Sequence, residues 1–141
     1  MTTSEVVATN DADYTDTFTA LTPDARTHSP QDWARRVLEG ASVPMRIFLR
    51  LGWRYGLGFR LARVNAVLGW PVVTESDDRV ELEQQSWLFG VVLVMSTCDG
   101  RLTWTTHVTY RSWLSPAAWG IVGLIHRRFA PRALRRAAAS Y

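Results

Sequence analysis

Residues 89–110 read "FGVVLVMSTCDGRLTWTTHVTY", two alternating stretches meeting at Asp99-Gly100. No other feature restricts the fold so tightly. Asp-Gly between alternating runs favours a two-residue hairpin loop, whose central positions need the positive φ that these residues tolerate best. Placing Cys98 opposite Arg101 then fixes every other pair. Met95 meets Trp104, Leu93 meets Thr106, Val91 meets Val108 and Phe89 meets Tyr110 on a largely apolar face. Ser96 with Thr103, Val94 with Thr105 and Val92 with His107 make the other. A one-residue slip would exchange the two faces, so the pattern selects this register. It predicts that Trp104, Thr106, Val108 and Tyr110 point inward. Thr103, Thr105, His107 and Thr109 point away, and His107 is expected at the surface.

The remaining elements follow from local signals. "DYTDTFTAL" alternates, with Tyr14, Phe18 and Ala20 on one side, and reads as a first strand. Ser29 with Pro30 and Asp32 makes a helix start: an N-cap oxygen, a fixed φ and a negative charge near free N–H groups. Trp33, Val37 and Leu38 share its apolar face. Pro44 opens a second helix running to about Gly56, with Met45, Phe48, Leu49 and Trp53 as a stripe. "LGWPVVTES" and "DRVELEQQS" add two strands, turning at Asp77-Asp78. From Ser115-Pro116 a long helix reaches the C-terminus, with a kink expected near Arg127 from Pro131.

Composition narrows the class. At 141 residues with a 47% hydrophobic fraction, the chain suits one globular domain over 12–141, led by a flexible polar stretch over 1–11. One cysteine, Cys98, excludes an intrachain disulfide. No leader is visible and the longest apolar runs are nine residues, against about twenty for a bilayer span, so a cytoplasmic location is expected. The net charge of +3 hides two unlike parts: residues 1–32 hold six acids against Arg26, and 33–141 hold fifteen Arg against seven acids. Arg46, Arg50 and Arg54 fall on one helix face and are candidates for an anionic membrane surface. Arg127, Arg128, Arg132, Arg135 and Arg136 crowd the last helix, where cations also favour the dipole's negative end. No nucleic-acid reading motif accompanies this charge, and nucleic acid is not expected as a partner.

The strand–helix–helix–strands–helix order, together with "LGWPVVTESDDRVELEQQSW", "TWTTHVTY" and "HRRFAPRALRRAA", resembles the START-like (SRPBCC) superfamily. That helix-grip group includes polyketide cyclases, the birch-pollen allergen and lipid-transfer domains. The likeness covers residues 12–139 and extends to small actinobacterial members. It implies an α+β fold, with a curved antiparallel sheet of about five strands closed by the C-terminal helix. It also implies a pocket between the two. Candidate ligand-binding residues are Tyr55, Trp70, Met95, Trp104, Thr106, Tyr110, Trp119 and His126, with Val122, Ile125 and Phe129 as further helix walls. Gly120 and Gly123 would let that helix approach the sheet or leave room above it.

No nucleophile elbow, zinc-binding H-E-x-x-H, P-loop or dinucleotide fingerprint occurs, so no catalytic residue, metal or cofactor is assigned. Glu81 and Glu83 share a strand face expected to be solvated, which is poor ground for a general acid–base pair. The expected function is binding of a small apolar molecule, lipid or polyketide-like. Cyclase- or dehydratase-like proton transfer by Tyr55, Tyr110 or His126 is one alternative. An Arg-rich membrane- or protein-interaction module is another.

Overall fold

A computed structural model describes residues 12–22, 28–40, 42–61, 66–98 and 100–140. The predicted flexible stretch 1–11 and Asp99 lie outside them. Strand β1 (Tyr14–Leu21) is followed by helices α1 (Pro30–Glu39) and α2 (Val43–Leu51), the latter extended by a π-helical turn (Gly52–Gly56). Strands β2 (Ala66–Val67), β3 (Trp70–Glu75), β4 (Arg79–Gln85), β5 (Phe89–Cys98) and β6 (Arg101–Tyr110) come next, and α3 (Ser115–Ser140) ends the chain. The fold is α+β. All strand pairs are antiparallel, in the order β1-β6-β5-β4-β3-β2.

The β5–β6 hairpin has the register read from Asp-Gly, from Cys98 opposite Arg101 to Phe89 opposite Tyr110. Gly100 takes φ 70°, as that turn requires. β1 returns to β6, placing Phe18 beside Trp104 and Asp16 beside Thr106.

Six strands form among the described residues where about five were expected, because a short strand, Ala66–Val67, precedes "LGWPVVTES", whose first two residues are a turn. Leu68 (φ 47°) and Gly69 (φ 91°) make a second two-residue turn, pairing Val67 with Trp70. A left-handed Leu is unfavourable by about 1–2 kcal/mol, and two side chains hold it there. The Glu39 carboxylate accepts from Leu68 N–H at 3.0 Å, and the buried Gln84 amide donates to the Gly69 carbonyl at 3.0 Å. The same amide donates to the Arg60 carbonyl, tying the segment after the π turn to the sheet.

Both early helices start as their sequences predict. Ser29 accepts from Asp32 N–H at 3.1 Å, and Ser42 from Met45 N–H at 3.4 Å. α1 packs over β2, β4 and β5, while α3 lies over β1 and β6 and touches α1 at its side. The two cover different halves of one sheet face. α3 runs as a helix through Pro131.

The opposite face corrects the expectation for His107. It is only 5% exposed, between Val92 and Thr15 on flanking strands, with Thr15 Oγ1 3.3 Å from its Nδ1. A residue on an interior strand is shielded from both sides even where its face carries threonines. Glu81 and Glu83 do fall opposite the buried Val80 and Leu82, and Arg79 pairs with Glu81 at 2.8 Å.

Candidate functional site

Two helices covering different halves of a sheet leave space where neither reaches. Here it is a cavity of about 360 Å³. β3, β5 and β6 supply Trp70, Val91, Leu93, Trp104 and Thr106 as the floor. α3 forms one side with Trp119, Val122, Ile125, His126 and Phe129. α2 and the π turn form the other, with Phe48, Leu49 and Trp53, while Leu57 and Phe59 follow the turn. Edge-on ring contacts at 5.4 Å join Trp70 to both Trp53 and Phe59. Phe48 and Ile121 line the cavity yet are 52% and 70% exposed, so its rim is apolar as well.

Five of the eight predicted residues meet at this cavity: Trp70, Trp104, Thr106, Trp119 and His126. Val122, Ile125 and Phe129 join them from α3. Three do not. Tyr55 is 76% exposed on the π turn, with the Arg54 guanidinium over its ring at 5.4 Å. It lies one position away from the turn's inward side. Met95 is buried opposite Trp104 but outside the cavity lining. Tyr110 stacks against Phe89 at 6.2 Å, toward the hairpin's open end. At Gly123 an added Cβ would stand 2.8 Å from the Trp119 indole nitrogen and 2.9 Å from an Arg127 guanidinium nitrogen, both on α3 itself, so this glycine makes room for its helix neighbours rather than for the sheet. Beside Gly120 there is open space.

Sequence reading passed over the polar corner where β1 meets α3. Asp16 shares the inner side of β1 with Tyr14, Phe18 and Ala20. Its Oδ2 accepts from the Tyr14 hydroxyl at 2.7 Å and lies 3.0 Å from His126 Nε2. The second contact lacks hydrogen-bond alignment, so it is a close approach rather than a directed bond. Asp16 Oδ1 and Thr106 Oγ1 are buried without a hydrogen-bond partner among the described residues. Arg127 reaches the Tyr14 hydroxyl at 3.4 Å. Burial, the largest cause, pushes the Tyr14 phenol above its ordinary value of 10.0; Asp16 adds to this and Arg127 opposes it. The signal was present in sequence: a carboxylate in the apolar register of an alternating strand.

The Asp16 carboxylate stands beside one ring nitrogen of His126. His126 also has its ring against Trp104 at 5.9 Å and Trp119 at 5.8 Å, which fixes it in the cavity wall. Among the described residues no three His, Cys, Asp or Glu side chains gather to hold a metal ion. No helix among them is long and apolar enough to cross a membrane.

Beside the cavity, an open groove runs between the α1–α2 junction and the outer side of α3. It is lined by Gly40, Ser42 and Met45 on one bank and by Arg128, Arg132 and Arg136 on the other. Ile125 and Phe129 line both groove and cavity, so the two adjoin.

A family model described as "Protein of unknown function (DUF2867)" matches residues 8–133. The chain belongs to this family. The match runs from ahead of β1 into α3 and so includes every cavity wall. No curated protein and no solved structure matches the chain.

Proposed function

We propose that this DUF2867 protein binds a small apolar molecule between its sheet and helices α2 and α3. The observation that carries this reading is the cavity itself. Its volume of about 360 Å³ falls within the roughly 300–1,000 Å³ of small-molecule sites. Its lining is aliphatic and aromatic apart from Thr106, His126 and the indole N–H groups. The sheet closed by a long C-terminal helix supports a helix-grip, START-like relationship, in which a lipid or polyketide-like ligand would occupy this space. Freshly purified protein in a native mass spectrum should carry a small organic adduct that solvent extraction removes. A fluorescent apolar probe should bind the extracted protein with one-to-one stoichiometry. Failure of both would sink the reading.

The outer side of α2 favours a second, compatible reading: contact with an anionic membrane surface. Val43, Ile47 and Leu51 recur every four residues and all are more than half exposed. Arg46, Arg50 and Arg54 form the neighbouring row, with Arg50 and Arg54 exposed and Arg46 half-buried. An apolar stripe edged by cations is the pattern of a helix lying in a lipid interface. Binding to vesicles of phosphatidylserine but not phosphatidylcholine, lost in moderate salt, would support it. Equal indifference to both would end it.

A further inference from the structure

We infer that the ligand is an anionic amphiphile, with its tail in the cavity and its phosphate or carboxylate head in the Arg-lined groove. This rests on the apolar-ligand reading and adds the head. Three observations lead to it.

The groove and cavity share a wall. Ile125 and Phe129 belong to both, so a molecule leaving the cavity past these side chains meets Arg128, Arg132 and Arg136. These three recur at i, i+4 and i+8 along α3, which places them along one bank.

Two of the groove's three cations are not consumed by the fold. Arg136 donates to the Val37 carbonyl at 3.1 Å, joining α3 to α1. Arg128 and Arg132 are exposed and form no ion pair among the described residues. Repulsion between like charges four residues apart is unfavourable by a few tenths of a kcal/mol, and an anion between them would relieve it. Guanidinium groups also match phosphate and carboxylate oxygens in two-point contacts.

The carboxylate next to the groove in the chain, Glu39 before Gly40, is engaged by Arg35 and the Leu68 N–H. Residues 40–74 and 100–141 contain no Asp or Glu, and these stretches supply α2, the opposite bank and all of α3. The dipole reading of the Arg cluster accounts for cations in the last turn of a helix. It does not account for Arg128, which stands three turns before the C-terminal end of α3.

Dodecyl phosphate, dodecanoate and dodecanol share a tail and differ in the head, and binding of each to the extracted full chain provides the test. Both anions should bind at least about tenfold more tightly than the alcohol, and moderate salt should narrow the gap. In the Arg128→Gln/Arg132→Gln double variant the gap should close while dodecanol binding stays unchanged. That second measurement doubles as a folding control. Dodecanol should also displace dodecyl phosphate, since one tail site serves both. Three results would overturn the inference: equal affinity for charged and uncharged heads, a gap that survives the double variant, or simultaneous binding of alcohol and phosphate. Inorganic phosphate at the concentrations used for dodecyl phosphate should not bind measurably; matching affinity would show an anion site independent of the tail. If dodecanol and both anions all fail to bind, the apolar-ligand reading fails together with this one. An anion gap without dodecanol binding would overturn shared occupancy alone.

Discussion

Helices α1 and α2 begin alike and end in opposite roles. Each has a Ser N-cap and a Pro in the first turn, and each is about three turns long or less. Yet α1 buries Pro30, Trp33, Ala34, Val37 and Leu38, whereas α2 buries Leu49 alone. Capping chemistry therefore sets where these helices start and says nothing about what they serve. The spacing of the largest apolar residues decides that. α1 confines them to one face and carries Gln31, Asp32, Arg35 and Arg36 elsewhere. α2 is apolar on two sides, one over the cavity and one outward. The first is framework, and the second is a wall with a surface of its own.

The sharpest way to break this contrast is to truncate one large side chain on each side of it. Trp33→Ala should destabilise by about 3–5 kcal/mol in chemical denaturation, since the indole is wholly enclosed by solid core. Trp104→Ala should have a clearly smaller effect, because that indole already borders empty space. Equal losses would mean the cavity collapses around Trp104 in solution. Next in size is His107→Ala, expected to lose about 1 kcal/mol through the cross-strand contact to Thr15 and the burial around it. Ile47→Asn on α2 should change stability by no more than about 0.5 kcal/mol, yet weaken binding to anionic vesicles. A large loss of stability would instead make the outer side of α2 part of the core.

The smallest effect expected is in the pH dependence of Tyr14. A phenol whose folded-state pKa is raised holds its proton more tightly when folded. Its contribution is complete below the unfolded value near pH 10 and is lost as pH climbs through the raised folded value. Tyr14→Phe should flatten that alkaline decline in thermal melts while leaving the neutral-pH pattern of cavity binding in place. An unchanged alkaline limb would place the Tyr14 hydroxyl in water rather than between Asp16 and Arg127.

What the sequence made legible was the part governed by short-range rules. Asp-Gly and alternation fixed ten cross-strand pairs of β5 and β6, and with them the inward Trp104 and Thr106. The helix start at Ser29 followed from its cap, and Pro44 marked the first turn of the second helix. The turn at Leu68-Gly69 stayed hidden because Leu is a poor turn residue, and what holds it is Glu39 and Gln84 from distant elements. Burial of His107 depends on β1 lying beside β6, a long-range pairing that alternation within one strand does not encode. Tyr55 was misplaced for a similar reason. A π turn advances less per residue than an α-helix, which shifts the faces after Gly52. Asp16 was readable, being the lone charge on the inner side of β1.

The π turn that ends α2 also bears on timing. It is bounded by Gly52 and Gly56, each with open space where a side chain would stand, and the helix before it is anchored by Leu49 alone. Such a segment can lift by local opening, well below the free energy of global unfolding. The rate at which the cavity loads and empties would then follow from fluctuation of fourteen residues, Val43 to Gly56. Amide exchange there should be fast and insensitive to low denaturant, while β5 and β6 exchange only when the whole domain unfolds.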